Sequence, residues 1–477
     1  MKTKLLLPML FSAVAFPALA EDFGLAVDQM LAAQAPALFG IQAPLAASAA
    51  ASAEEGYRTL EQTEADQVAL ASGLTATFLT RQVADSADMM AFYPLENPTH
   101  AIMCIEGGRE EIAPGKMNPG VQAVALADGT VTTLVRGTQG CDGIRTTPWG
   151  TVVFTEEEDD GAAYEMIDVL AIDNITIVDR ATGELSDGTR VVKRTALPTM
   201  AWEGFVVMAE GVVIGGDELR PGTANPDADG GSIFKFIPAS PFAGGMIDTL
   251  EASPLAAGSV YAMQVQCVGG NVQFGQGCET GNATWLPVNA ATVRADADAA
   301  GATGYYRPED MHDDPTYTGE GVRFCWTDTG NEGAQNYSEV MCAVDTDPLN
   351  IAVPDADGAV EMTTSVVRFI EGDTDFNSVD NLAFQPGTGI LYVIEDHPNG
   401  DIWACLPDGT DRDLKSDGCI KMLSVMDTSA EPTGFTFAAD GLTAYVNIQH
   451  SDDTNVEKVD DYGTDDVLVI TGFKAPM

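Results

Sequence analysis

Carboxylates recur along this chain at the edges of short apolar runs. Thr147-Pro148-Trp149-Gly150-Thr151 leads into Val152-Val153-Phe154-Thr155 and ends on Glu156-Glu157-Glu158. Glu203 stands between Trp202 and Gly204, just before Phe205–Met208, and Gly215-Gly216-Asp217-Glu218 follows the next apolar run. Arg307-Pro308-Glu309-Asp310 sets a guanidinium beside two carboxylates. Asp380-Asn381-Leu382-Ala383-Phe384 is followed by Leu391-Tyr392-Val393-Ile394-Glu395-Asp396. Glu431-Pro432-Thr433-Gly434 precedes Asn447-Ile448-Gln449-His450. An acid bordering a core strand costs free energy unless it is paired or metal-bound. Several such acids meeting at one place would repel one another unless cations neutralised them. Carboxylate oxygens are the donors that calcium takes. Taken singly, each motif also reads as a solvated acidic turn or an ordinary surface ion pair.

Alternation sharpens the Glu156-Glu157 motif. Consecutive strand residues point to opposite faces, so these two acids serve one site only if the strand has ended between them. Asn225, Asp227 and Asp229 before Gly230 have calcium-loop spacing, but Phe236 stands where the closing acid belongs. That stretch reads as a polar loop. No C-x-x-C occurs, and His100, His312, His397 and His450 are scattered, which argues against a thiolate or histidine zinc site.

The elements that position these acids are strands. From about residue 66, β-branched and aromatic runs alternate with turns such as Asp128-Gly129, Asp187-Gly188 and Asp440-Gly441. No helical period is sustained after residue 90. The pattern predicts an all-β chain, and the want of clear linkers favours a single β-propeller over a string of sandwiches. Residues 21–65 are Ala-rich and read as a helical or mobile leader. Residues 1–20 have the form of a cleaved secretory signal: Lys2 and Lys4, an apolar stretch, then Ala18-Leu19-Ala20. No Arg-Arg pair precedes the apolar stretch, so the unfolded-chain export route is expected, with a periplasmic or extracellular destination. Eight cysteines in an exported chain read as disulfides, and sequence-local pairing gives Cys104–Cys141, Cys267–Cys278, Cys325–Cys342 and Cys405–Cys419.

With 72 acids against 23 lysines and arginines, the chain of 477 residues has a formal charge of −49. Such a surface repels nucleic acid and anionic membranes alike. The 45% hydrophobic fraction still provides for a large core. In so acidic a chain Arg307 is conspicuous, because its planar fork matches phosphate oxygens.

In their order the motifs resemble the PhoX-type alkaline phosphatase family of bacterial secreted proteins. The similarity runs from about 66 to 470. It is carried by Phe92-Tyr93-Pro94-Leu95, Glu106, Thr147–Thr151 with Glu156-Glu157, Glu203-Gly204, Gly216-Asp217 with Phe234-Lys235-Phe236, Arg307–Asp310, Asp380–Ala383, Thr433-Gly434 and Asn447–His450. The resemblance implies a six-bladed propeller with rim insertions, acting as a monomer on small phosphate esters with calcium and iron in the channel mouth. It implies metal ligation by Glu203, Glu309 and Asp380, joined by Glu156 or Glu157, and a phosphate contact from Arg307. Asp217 and Glu395 complete the expected metal set, with Arg307 and Glu309 as the catalytic pair. Two departures bear on iron. Thr155 stands where the family has an iron-ligating cysteine, and the twin-arginine signal is missing; Trp202 also replaces a family histidine. Three activities follow as expectations: a calcium-dependent phosphatase, a non-catalytic calcium-stabilised propeller that binds a partner, and a calcium-dependent lactone hydrolase. Arg307 favours the anionic ester over the neutral lactone.

Overall fold

The computed structural model describes residues 23–52, 56–222, 230–266, 279–351, 362–407 and 418–476. The expected signal segment, the Asn225–Asp229 loop and the Cys267–Cys278 pair lie outside the described residues. Within them the chain is all-β, with two α-helices, α1 (Phe23–Leu38) and α2 (Val293–Ala300).

Six strands are used below: β1 (Ala87–Tyr93), β2 (Cys141–Thr146), β3 (Trp202–Val207), β4 (Pro308–Asp313), β5 (Val379–Phe384) and β6 (Glu431–Phe437). Each packs against the next, and β6 packs back on β1, so they form an inner ring. Each is an edge strand of its own sheet, apart from β3 and β4, which are the two edges of one nine-stranded sheet. The other main sheets have four, four, five and six strands. The arrangement is propeller-like: four separate sheets and one nearly closed nine-stranded sheet radiate from the ring. The nine strands are continuous because Gly281–Val288 pairs with Thr364–Glu371.

The ring closes with strands from both chain ends. Thr75–Ala84 pairs antiparallel with Thr464–Thr471, and Val68–Leu70 pairs with Cys419–Val425. Both early strands are the outer edges of their sheets, so the pairing ties the two parts of the chain together at the rim. Apolar side chains fill the gaps between sheets. Met89, Ile102, Val121 and Phe154 make one such layer, and Ile394, Ile402, Phe435 and Ile448 another. Helix α1 docks on the latter through Leu31 and Ala35, one helical turn apart, with Phe39 just beyond its end. The leader then runs along the sheets. Ser48 Oγ donates to Asp401 Oδ2 (2.6 Å), and Arg58 pairs with buried Asp466 (2.6 Å). Three of the expected disulfides are formed. Cys325–Cys342 and Cys405–Cys419 join directly opposed cross-strand residues, whereas Cys104–Cys141 ties β2 to the neighbouring sheet.

Candidate metal centre

A β-bulge recurs where each inner strand meets its neighbour. Ala87 faces Ile105 and Met90 faces Met103, so three steps on β1 match two on its partner. The same extra residue occurs in β2 between Cys141 and Ile144, in β3 between Trp202 and Phe205, in β4 between Pro308 and Met311, and in β5 between Val379 and Leu382. A bulge bends the strand and re-aims a side chain. In all five strands the first bulged residue is an acid: Asp88, Asp142, Glu203, Glu309 and Asp380. The next residue lets the strands close up. A Cβ on Gly143 would lie 2.2 Å from the Glu203 carbonyl, and one on Gly204 would lie 1.8 Å from Asp310 Oδ1, so glycine is required at both. Asp310 Oδ2 in turn accepts from Leu382 N (3.1 Å), and Asn381 Oδ1 accepts from Gly434 N (2.6 Å).

The five acids converge on one cavity of roughly 110 Å³ at the start of the inner strands. Glu106, Glu157 and Asp396 reach it from the residue just past a second strand, and Glu431 from the start of β6. Nine carboxylates therefore meet there, with Arg307, Gln449 and His450 beside them. Three overlapping triads bring one oxygen from each member within 4.8 Å of the others: Asp88–Glu106–Asp142, Asp142–Glu157–Glu203 and Glu203–Glu309–Asp380. Two ionised carboxylates at that separation repel by roughly 3 kcal/mol at an effective dielectric of about 20. A triad has three such pairs, so one fully ionised triad costs about as much as a whole domain's folding stability. The centre therefore needs protons or cations.

Burial acts in the same direction. It pushes the Asp88, Asp142, Glu157, Glu203 and Asp380 carboxyls well above their ordinary range, and the neighbouring acids add to it. Glu309 is pushed up to about 8 by burial, against the pull of Arg307. Burial also raises Glu431, to about 10. Asp310 goes the other way: burial opposes ionisation, but His312 and Arg145 beside it hold its carboxyl well below the usual range.

Alternation divides the expected ligands. Glu157, Glu203, Arg307, Glu309 and Asp380 line the cavity, whereas Glu156, Asp217 and Glu395 do not. Each of the latter is the last residue of its strand, and the residue after it turns the other way. The carboxylates of Asp217 and Glu395 are engaged at both oxygens, and that of Glu156 at Oε1, its Oε2 being buried without a partner. Glu156 Oε1 takes Arg180 Nε at 2.8 Å. Asp217 takes Arg294 bidentately, both contacts at 2.7 Å. Glu395 accepts from Trp403 Nε1 (3.0 Å) and Asp401 N (3.0 Å) and sits 3.3 Å from His397 Nε2. On that geometry these three stand outside the carboxylate triads and the cavity, and they brace the scaffold behind it.

Arg307 sits in the left-handed backbone region, with φ of 61°. That conformation costs an ordinary residue about 1–2 kcal/mol, and strain of this kind gathers at functional sites. Its Nε binds Glu218 and its Nη2 lies 3.1 Å from Glu309, which also accepts from the Thr329 hydroxyl. Nη1 engages no carboxylate among the described residues.

The family profile described as "Alkaline phosphatase PhoX" matches residues 189–452, more than half of the chain. The chain belongs to the PhoX alkaline phosphatase family. The structure of Pseudomonas fluorescens PhoX in complex with vanadate, a transition state analogue, matches with a TM-score of 0.58 at 15% identity, over 89% of this chain and 98% of that one. Looser matches include a gluconolactonase from Xanthomonas campestris (TM-score 0.36, 13% identity, 90% and 99% covered) and a PQQ-bound aldose sugar dehydrogenase from Streptomyces coelicolor (0.39, 12%, 84% and 99%). No curated protein sequence matches the chain. No helix among the described residues is long and apolar enough to cross a membrane.

The PhoX family implies metals, and the donor set here tests which kind would fit. All three triads consist of carboxylates alone, and Asp88 Oδ1, Asp142 Oδ1 and Asp380 Oδ1 are buried without a hydrogen-bond partner. Such oxygens suit hard cations. The thiolate that the family resemblance assigns to iron has no counterpart here. Thr155 is buried and donates to Gly143 O (3.1 Å), and every cysteine among the described residues is disulfide-bonded. Asp88 and Asp142 did not stand out in the sequence reading. The signal for them is positional: an acid one residue into each of the first five inner strands, followed at 143 and 204 by glycine.

Proposed function

We propose that this PhoX-family chain is a secreted, calcium-dependent phosphatase acting on small phosphate esters. The observation that carries the reading is the convergence of five bulge acids, three carboxylate triads and one strained arginine on a single cavity. Asp88, Glu106, Asp142, Glu157, Glu203, Glu309 and Asp380 would hold the cations. The cations, when bound, supply positive charge for phosphoryl oxygens and for the leaving oxygen. Arg307 binds and orients the phosphoryl group, and Glu218 and Glu309 fix its guanidinium so that little freedom is lost on binding. The Thr329 hydroxyl fixes Glu309. The vanadate bound by Pseudomonas fluorescens PhoX, a transition state analogue in that relative, is in keeping with this role. On the same reading the nine-stranded sheet counts as two fused blades, giving six, and the protein is exported.

The test is turnover of an aryl phosphate by calcium-loaded protein from neutral to alkaline pH, with chelator and Glu309→Ala as controls. Expected is calcium-dependent release that both controls abolish. Absence of turnover on every ester tried sinks the reading. Elemental analysis of protein from its native compartment is expected to find calcium without stoichiometric iron. A second reading, a calcium-stabilised propeller that binds a partner without turnover, is favoured by Thr155 alone. It predicts a calcium-dependent rise in melting temperature and no phosphate release.

A further inference from the structure

From β2 onward, the residue that follows the bulge acid is shaped for the next strand of the ring. Gly143 leaves room for the Glu203 carbonyl on β3, and Gly204 for the Asp310 carboxylate on β4. Asp310 Oδ2 accepts from Leu382 N on β5 (3.1 Å), and Asn381 Oδ1 from Gly434 N on β6 (2.6 Å). Thr433 Oγ1 closes the circle on Ala87 O of β1 (3.0 Å). Within the series Gly143, Gly204, Asp310 and Asn381, the charged member is Asp310.

Both oxygens of Asp310 are used. Oδ1 accepts from Met311 N and from Arg145 Nη2, each at 2.7 Å. Oδ2 accepts from Leu382 N and lies 3.4 Å from His312 Nε2. Arg145 reaches across from β2, past β3, with its guanidinium 5.8 Å from the Phe205 ring centre, and Nη2 donates to Met311 O as well (2.9 Å). One carboxylate is thereby tied to β2, β3, β4 and β5, the strands that carry Asp142, Glu203, Glu309 and Asp380. Each tie falls close to the acid: Arg145 three residues past Asp142, Gly204 next to Glu203, Leu382 two past Asp380. With Glu157, these four acids make up two of the three triads. Asp310 belongs to no triad and does not line the metal cavity; it faces a separate crevice with Arg145, His312 and Asn381. It is placed to set where the ligands stand without being one. The residue type matters. Arg145, Met311 and Leu382 all present N–H donors, so a carboxylate satisfies every one, whereas an amide of the same shape turns its own N–H donors against one side.

We propose that Asp310, gripped by Arg145, is the positioning residue of the centre: it fixes the spacing of the Glu203–Glu309–Asp380 triad and aligns it with the Asp142–Glu157–Glu203 triad for cations. The inference rests on the reading of the centre as a calcium site, not on turnover. Calcium binding to the full chain is measured by calorimetry, and urea midpoints are taken in calcium and in chelator. The proteins compared are wild type, Asp310→Asn, Arg145→Gln and Arg145→Lys. Groups that orient metal ligands typically change affinity by about 10–100-fold, so Asp310→Asn is expected to weaken calcium binding by that range and Arg145→Gln by about tenfold. Arg145→Lys keeps the charge and a donor toward Asp310 and should restore most of what Arg145→Gln loses. The midpoint should fall further in calcium than in chelator, because weaker binding to the folded state withdraws stabilisation only when the ligand is present. A merely structural staple lowers both midpoints equally and leaves calcium affinity unchanged, a result that overturns the inference. Should Asp310→Asn not fold, the two Arg145 variants carry the same comparison. The aryl phosphate assay is run alongside. Weakened calcium binding in the variants, with no ester hydrolysed by wild type, keeps the positioning role and removes the phosphatase reading. Turnover by wild type with calcium affinity unaltered in every variant does the reverse. If wild type binds no calcium, both fall.

Discussion

Asp217 is the residue on which the two roles of a carboxylate in this protein are most cleanly separated. Its sequence setting suggested a metal ligand, but the structure has it gripping Arg294 with both oxygens at 2.7 Å, while Oδ1 also accepts from Ala201 N at 3.0 Å. Asp217→Asn preserves the shape and an acceptor for Ala201, and removes the charge. Breaking a buried pair by losing one partner costs about 3–5 kcal/mol. Arg294 keeps Asp159 on Nη1 (2.5 Å) and has 14% exposure, which puts the expected loss near the low end, about 3 kcal/mol. Urea denaturation of the calcium-loaded protein measures it. Calorimetric titration of the same variant should return an unchanged calcium stoichiometry. A cycle with Arg294→Met should be non-additive, the double variant costing less than the two singles together. If Asp217→Asn loses a calcium equivalent while its urea midpoint barely moves, the assignment of Asp217 to the scaffold is refuted, and with it the alternation argument that also removed Glu156 and Glu395.

Three further outcomes are expected. Asp142 belongs to two triads, so Asp142→Asn should weaken calcium binding yet raise the melting temperature of chelated protein, because it relieves repulsion with no cation present. For chelated wild type the sign of the pH dependence follows from Glu309. Its folded value of about 8 exceeds the ordinary 4.5, so stability is greatest below 4.5 and is lost as pH rises through 8; melting curves from pH 6 to 9 should fall without calcium and lose that trend with it. His397 is raised to about 9 by its hydrogen bond to Glu395, so its contribution is complete below its ordinary 6.5 and is lost as pH rises through 9. His397→Gln should therefore lower the urea midpoint at pH 6 and leave it unchanged at pH 10; equal effects at both would show that the ion pair is not the cause.

What the sequence discloses and what it hides have different physical origins. Strand runs and turns are local in composition, so the all-β character and the near pairing of Cys325 with Cys342 could be read directly. Glu203 and Asp380 could be found because each borders an apolar run and must be compensated, and Glu309 because it stands beside Arg307 in a motif the family resemblance carries. Asp88 and Asp142 carry the same burden, but Ala87-Asp88-Met89 has no polar companion, and Asp142-Gly143 repeats the dipeptide of the turn at Asp128-Gly129. What distinguishes them is a bulge, and a bulge is a property of two strands in register rather than of one residue type. The choice between Glu156 and Glu157 depended on where the strand stops, which is set by pairing with Cys141 at its last residue. Alternation was known in advance; the strand end was not.

The distribution of basic residues then decides which acids are free for chemistry. Two rings of carboxylates lie one residue apart along the second strands. In the outward ring Glu156, Asp217 and Glu395 each meet a basic side chain of the protein, Arg180, Arg294 and His397 respectively. Next to them Glu157 and Asp396 turn inward to a cavity where nine carboxylates share Arg307 and His450. A chain with only 23 lysines and arginines thus commits them to the acids that hold the scaffold and leaves the inner ring short of positive charge. Had the inner acids been structural, the same logic of buried charge would have required partners for them as well. The shortage is therefore selective by position, and on the proposed function a cation from solution is the component that completes it.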